Sequence, residues 1–103
     1  MNTPLFDDKE IVDNAIQSSD LLSAGQKEIL KTLMRCEEGL SVPSIMKIQG
    51  ASKQALHFNI KKLLEREYLT RVKNRIYVYR FNKIKIIELI ELYLKKVSIT
   101  KNR

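Results

Sequence analysis

The sequence is short of cysteine, histidine and glycine, and each shortage excludes a kind of chemistry. Cys36 is the only cysteine among 103 residues, so no intrachain disulfide can form, and a lone thiol fits a reducing compartment. One histidine, His57, together with one cysteine gives too few ligands for a zinc site, so no metal is expected. Three glycines spread along the chain do not make a glycine-rich phosphate loop.

Long apolar runs and catalytic clusters are absent as well. No unbroken apolar stretch is long enough to span a bilayer, and the N-terminus lacks the apolar run of a secretion signal. Neither paired carboxylates nor a Ser/His/Asp set can be assembled from the residues present. We therefore expect a cytoplasmic protein that has no membrane association, needs no cofactor and is not an enzyme.

Residues 40–69 carry the pattern of two helices separated by a tight turn. Ser41 can cap the first helix, and Pro43 in its first turn loses no intrahelical hydrogen bond. Gly50 can supply the left-handed conformation that ends this helix, and Ser52 can cap the second. This layout is that of a helix-turn-helix.

The second of these helices has an apolar side and a polar side. Its apolar stripe, which should face a core, consists of Leu56, Ile60, Leu63 and Leu64. The opposite side presents Gln54, His57, Phe58, Lys61 and Lys62. Many proteins place such a helix in the major groove of DNA, although any two short amphipathic helices can give this pattern.

The charge is divided unevenly along the chain. Residues 1–51 hold five Lys/Arg and eight Asp/Glu, a net charge of −3, whereas residues 52–103 hold fourteen and four, a net charge of +10. A basic half of this kind indicates a polyanion as partner, although ordinary solubility charge is an alternative. The basic half begins at the candidate recognition helix, which favours the polyanion.

After Leu69 the apolar spacing changes from helical to alternating. The segment 70–81, TRVKNRIYVYRF, is rich in β-branched and aromatic residues and has a turn at residues 73–74 or 74–75, so it predicts a β-hairpin. Its first arm and tip carry Arg71, Lys73, Asn74 and Arg75. These residues suit DNA phosphates or a minor groove, although edge strands also carry cations to avoid aggregation.

Further helices are predicted on both sides of this region. An acidic first turn starts a helix that runs from residue 7 or 8 to about Gln17, and Ser23 with Gln26 has the spacing of a capping box for the next one. Asn82 can cap a last helix that continues to about Val97. The predicted fold is therefore mainly α with one small β-hairpin, an α+β class.

The last helix has more apolar residues than one packed face needs. Leu89 and Leu92 lie beyond its main apolar stripe, so a second surface should cover them. We expect that cover to be another copy of the chain, although the N-terminal helix of the same chain is an alternative. The predicted dimer interface is Ile86, Leu89, Ile90, Leu92 and Tyr93.

The order of elements and one segment together resemble a known class of protein. Helix, helix, helix-turn-helix, hairpin and helix is the order of winged-helix proteins, and residues 40–72 look like the core of the multiple-antibiotic-resistance-regulator (MarR) class. The shared features are Leu-Ser at 40–41, Ile45, Gly50, Ser-Lys-Gln at 52–54 and the closing LLEREYLTR. The resemblance implies a winged helix with an N-terminal arm and helix at 1–22, a DNA-binding domain at 23–81, and a C-terminal dimerisation helix with a basic tail at 82–103.

The resemblance also implies which residues face DNA. On the recognition helix they are Ser52, Lys53, Gln54, His57, Phe58 and Lys61, and on the wing Arg71, Lys73 and Arg75. We add their neighbours Ser41, Lys62 and Asn74. Gln54 could read adenine, and Lys53 or Lys61 could reach guanine or phosphate. Phe58 stands where the class often has a polar or basic residue.

Glu67 also departs from the class, which usually has Gly at this position. The helix should therefore either end later than usual or place Glu67 in the left-handed region, at a cost of about 1 kcal/mol.

The sequence thus predicts a homodimer that binds double-stranded DNA and regulates or represses transcription. One alternative is a plasmid or viral centromere-binding (partition) protein, which would recruit a segregation partner protein. Another is a winged helix that binds a protein instead of DNA, using Phe58 and the last helix.

Overall fold

Five helices and a two-stranded antiparallel hairpin make up residues 8–101, the part of the chain that the computed structural model describes. In order, they are α1 (Lys9–Gln17), α2 (Ala24–Met34), α3 (Val42–Gln49), α4 (Lys53–Glu65), β1 (Leu69–Asn74), β2 (Ile76–Phe81) and α5 (Lys83–Lys101). The side chains of Asn74 and of residues 99–101 also lie outside the description. The predicted mainly α fold with one hairpin is confirmed.

The helix starts lie where the capping residues predict them. Ser23 accepts a hydrogen bond from the amide of Gln26, whose side chain accepts one from the amide of Ser23 in return. Ser52 caps α4 by accepting from the amide of Ala55 at 3.2 Å. Gly50 ends α3 with φ 68°, so the turn of the helix-turn-helix has the predicted chemistry.

The last helix is longer than predicted. It continues to Lys101, past the predicted end near Val97. The reason is that neither glycine nor proline follows Val97 to end it. None of the helices in residues 8–101 has the length and apolar character needed to cross a bilayer.

The end of α4 forms a Schellman motif with a glutamate at the position that favours glycine. The amide of Tyr68 donates to the carbonyl of Leu63 at 2.9 Å, and that of Glu67 to Leu64 at 3.0 Å. Glu67 has φ 66°, so of the two predicted outcomes the left-handed conformation is the one observed.

The phenol of Tyr68, the next residue, packs in the core. Burial raises the pKa of this phenol, because a buried site disfavours the charged form.

Replacing Glu67 with Gly should therefore stabilise the protein. Glycine removes the left-handed strain but adds freedom to the unfolded chain, so the expected net gain is about 0.5–1 kcal/mol. Thermal unfolding should show a Tm higher by about 3–6 °C. Glu65→Gly, within the last turn of α4, is the control and should lower Tm. A Tm for Glu67→Gly at or below that of the wild type would contradict this account of the turn.

One hydrophobic core joins the helix-turn-helix to the elements around it. The largest side chains that are fully buried come from α1 through α5: Ile16, Ile29, Leu30, Leu33, Ile45, Leu56, Leu63 and Ile86. The hairpin is tied to this body just before α3, where Leu40 and Tyr79 exchange backbone hydrogen bonds of 2.9 and 2.8 Å. The hairpin therefore has a fixed position relative to the helix-turn-helix.

The N-terminal helix covers the face of α5 that was expected to be open. α1 packs on α5, and Val12, Ala15 and Ile16 belong to the same core cluster as the buried residues of α5. Leu89 is only 3% exposed, which corrects the expectation that it lies outside the packed stripe. Ile86, Leu89 and Ile90 are core residues of the single chain, and of the predicted interface Leu92 and Tyr93 keep exposed surface.

Candidate nucleic-acid interface

The outer face of α4 presents most of the residues predicted to contact DNA. Leu56, Ile60 and Leu63 fix the orientation of the helix because all three are buried in the core. Residues three and four apart on a helix lie on one side, so the positions opposite these three form a continuous exposed surface. The exposed residues along it are Ser52, Lys53, Gln54, His57, Phe58 and Lys61.

Phe58 is the apolar member of this surface and is 60% exposed. The Nζ atom of Lys62 lies 5.6 Å from the centroid of its ring, close enough for a weak cation–π attraction. Lys62 also lies 3.9 Å from a carboxylate oxygen of Glu65, which attracts the same ammonium group. Of the lysines predicted as contacts, Lys62 is therefore partly engaged within the helix.

Ser41 is engaged in capping rather than exposed. Its hydroxyl accepts a hydrogen bond from the amide of Ser44 at 3.4 Å and donates to the Ser44 hydroxyl at 3.1 Å, and the residue is buried. A hydroxyl committed in this way has little capacity left for a phosphate. We therefore expect Ser41 to stabilise the start of α3 rather than to contact a phosphate itself, which corrects the contact that the sequence predicted.

The hairpin carries three of the predicted cations, two on β1 and one in the turn. β1 and β2 pair with Lys73 opposite Tyr77 and Arg71 opposite Tyr79, and Arg75 forms the turn with φ 69°. Arg71, Lys73 and Arg75 are all exposed. The side chain of Asn74, which was also predicted as a contact, lies outside the described residues.

Tyr77 lies against two of these cations, although it is not among the residues predicted from the sequence to contact DNA. The Cζ atom of Arg71 lies 4.4 Å from the centroid of the Tyr77 ring, and the Nζ atom of Lys73 lies 5.4 Å from it. The signal in the sequence is an aromatic residue on one arm of a hairpin and alternate cations on the other. It becomes usable only when the register of the strands is known.

A groove separates the start of α4 from the hairpin. It has a volume of about 510 Å³, and its lining includes Lys53 and His57 from α4 and Ile76 and Tyr77 from the hairpin. The rest of its lining comes from Ser41, Val42, Pro43, Met46 and Tyr79. The fold thus brings the two elements predicted to touch DNA to one shared groove.

In the described residues, the side chains able to bind a metal ion are not clustered. Within residues 8–101, no three His, Cys, Asp or Glu side chains come close enough to hold a metal ion. The groove beside α4 is lined by one lysine, an imidazole, two tyrosine rings, a serine and apolar side chains.

Comparison with known proteins gives matches among solved structures. No family model matches the chain, and no curated protein matches it significantly. The ST1889 protein from the thermoacidophilic archaeon Sulfolobus tokodaii has a TM-score of 0.59 and 19% identity, and the match covers 96% of this chain and 99% of that one.

Two matching structures are transcriptional regulators. For Tm0710 from Thermotoga maritima the TM-score is 0.61 with 18% identity, over 92% of this chain and 73% of that one. For a MarR/EmrR family regulator from Acinetobacter sp. ADP1 the TM-score is 0.60 with 22% identity, over 88% and 65%. The chain therefore has the winged-helix fold found in MarR-type regulators, as the sequence resemblance implied.

Proposed function

We propose that the chain binds double-stranded DNA as a homodimer and regulates transcription. In this proposal α4 enters the major groove and the hairpin lies against the adjacent backbone. The observation that carries it is that the two elements meeting at this groove both carry exposed cations, Lys53 and Lys61 on α4 and Arg71, Lys73 and Arg75 on the hairpin. Exposed cations on two elements beside one groove favour a polyanion such as duplex DNA, which carries phosphates on both of its strands.

Individual residues of α4 have distinct roles in the proposal. Gln54, on the first turn, can make a bidentate contact to adenine through its amide oxygen and nitrogen. Lys53 and Lys61 can reach guanine or phosphate. His57 lines the groove and serves as a hydrogen-bonding group there.

The proposal of a homodimer rests on exposed apolar residues beside α5. Leu92 and Tyr93 line a cleft of about 220 Å³ together with Leu21 from the loop after α1. Leu21 and Leu92 are both exposed apolar residues, which a second copy of the chain could cover. Two copies of α4 related by a two-fold axis would then meet half-sites about one helical turn apart, so an inverted-repeat operator is expected.

Regulation of transcription is proposed because the matching structures include proteins described as transcriptional regulators. A shared fold at these sequence identities does not identify the regulated gene or an effector. The direct test is therefore DNA binding by the purified chain.

The wild-type protein should bind random duplex DNA, and its affinity should fall steeply as salt rises. Each phosphate contact contributes about 0.9 to the slope of log affinity against log salt, because binding releases condensed counterions. Lys53→Ala, Lys61→Ala and Arg75→Ala should each flatten that slope by up to about 1. Fluorescence anisotropy with a labelled duplex across a salt series measures this.

The control is Lys9→Ala, which removes an exposed lysine from α1, a helix that packs on α5 and α2. This change should leave the slope unaltered. If the wild type does not bind at low salt, the DNA function is excluded. If Lys9→Ala flattens the slope as much as Lys61→Ala does, binding is diffuse and α4 is not the recognition helix.

A second candidate function is binding of a protein through the same helix. The observation that favours it is Phe58, a large apolar side chain that is well exposed in the middle of α4. An exposed aromatic residue is typical of an interface anchor. Binding of random duplex by the wild type separates the two functions, because a protein-binding module has no salt-dependent affinity for DNA. In a DNA binder, Phe58→Ala should leave that affinity nearly unchanged, because a phenyl ring makes no ionic contact with phosphate.

A further inference from the structure

Tyr77 lies where the hairpin meets the groove, and it is not one of the residues proposed above to contact DNA. The residue is 41% exposed, so its ring is not committed to the core. It lines the same groove as Lys53 and His57. Its neighbours Arg71 and Lys73 lie on the other strand, on the same face of the sheet.

The ring of Tyr77 holds two like charges close together. Arg71 and Lys73 approach it to 4.4 and 5.4 Å, within the distance at which an aromatic face attracts a cation. Without the ring, two long cationic side chains on one strand would repel each other and sample many rotamers. The ring therefore limits where both charges can lie before DNA arrives.

We propose that Tyr77 is a positioning residue that holds Arg71 and Lys73 beside the groove for two phosphates of the DNA backbone. This inference rests on the proposed function, since it specifies how the wing engages DNA. Tyr77 acts through the two cations and makes no essential contact of its own with DNA. Side chains ordered before binding lose less conformational entropy when the complex forms, which raises affinity.

The first test separates the ring from its hydroxyl. Tyr77→Phe keeps the aromatic face and should leave the affinity for random duplex DNA unchanged within about twofold. Tyr77→Leu removes the aromatic face and should weaken binding by about three- to tenfold at low salt. Equal losses for Phe and Leu would mean that the hydroxyl itself contacts a phosphate, and would overturn the positioning role.

The second test asks whether Tyr77 acts through the cations. In an Arg71→Ala/Lys73→Ala background, Tyr77→Leu should have no further effect on affinity, because there are no charges left for the ring to hold. If the loss from Tyr77→Leu is as large in that background as in the wild type, Tyr77 acts independently and the inference is wrong.

Two controls keep these outcomes separate from folding and from the proposed function. Val72→Ala removes an exposed apolar side chain from the other face of β1, and should leave both DNA affinity and Tm nearly unchanged. Thermal unfolding of Tyr77→Leu checks that the chain is folded when binding is measured. Wild-type binding with unaltered Tyr77→Leu affinity overturns this inference alone, whereas absence of wild-type binding overturns the proposed function and this inference with it.

Discussion

Replacing Leu89 with Glu should unfold the protein, whereas the same change at Leu92 should leave it folded. Leu89 is 3% exposed in the core between α1 and α5, while Leu92, three residues further on, is 49% exposed. A carboxylate at position 89 would be buried without a partner, at an expected cost of more than about 4 kcal/mol, comparable to the whole stability of a small domain. Far-ultraviolet circular dichroism with a thermal melt distinguishes the two variants.

The same pair of variants also tests the homodimer. Leu92→Glu should give a folded monomer in sedimentation if the cleft beside α5 is the dimer surface. Ile48→Glu is the matched control, because it makes the same change at an exposed apolar residue of α3, away from α5. A folded Leu89→Glu protein would mean that α1 does not cover α5. A dimer that survives Leu92→Glu would move the interface to another surface.

Leu89 illustrates what a helical wheel can and cannot predict. The apolar stripe of α5 follows from the spacing of its own residues, and Ile86 and Ile90 are buried accordingly. Whether a second face is also covered depends on where α1 docks, and that docking is a long-range contact which no local pattern encodes. The capping residues, by contrast, act within one turn, so the predicted helix starts were confirmed.

The same distinction between local patterns and long-range contacts applies to the candidate interface. The exposed residues of α4 follow from periodicity, because burial of Leu56, Ile60 and Leu63 leaves the opposite side to solvent. Ser41 was predicted both to cap α3 and to contact DNA, because a serine at a helix start can do either. The structure assigns its hydroxyl to capping. Tyr77 required the register of the strands before its two cations could be identified.

The position of the hairpin depends on a glycine at its junction with the body. Gly39 has φ 96°, a conformation that side-chain-bearing residues rarely adopt. A Cβ atom there would lie 2.6 Å from side-chain carbons of Val78 and Arg80, and 2.9 Å from the carbonyl oxygen of Tyr79. That oxygen accepts the hydrogen bond from the amide of Leu40, so it cannot retreat without breaking the contact that holds the hairpin.

Gly39→Ala should therefore destabilise the protein by about 2–4 kcal/mol, the combined effect of backbone strain and overpacking. Gly50→Ala is the matched control, since Gly50 also has a positive φ of 68° but has no atom within 4 Å of the added Cβ. Its expected cost is about 1 kcal/mol, for the left-handed conformation alone. Urea denaturation measures both, and equal losses would show that the clash with β2 is relieved at no cost. Because the hairpin contributes Ile76, Tyr77 and Tyr79 to the groove beside α4, Gly39→Ala should also shift these residues relative to α4 and weaken DNA binding even where the protein remains folded.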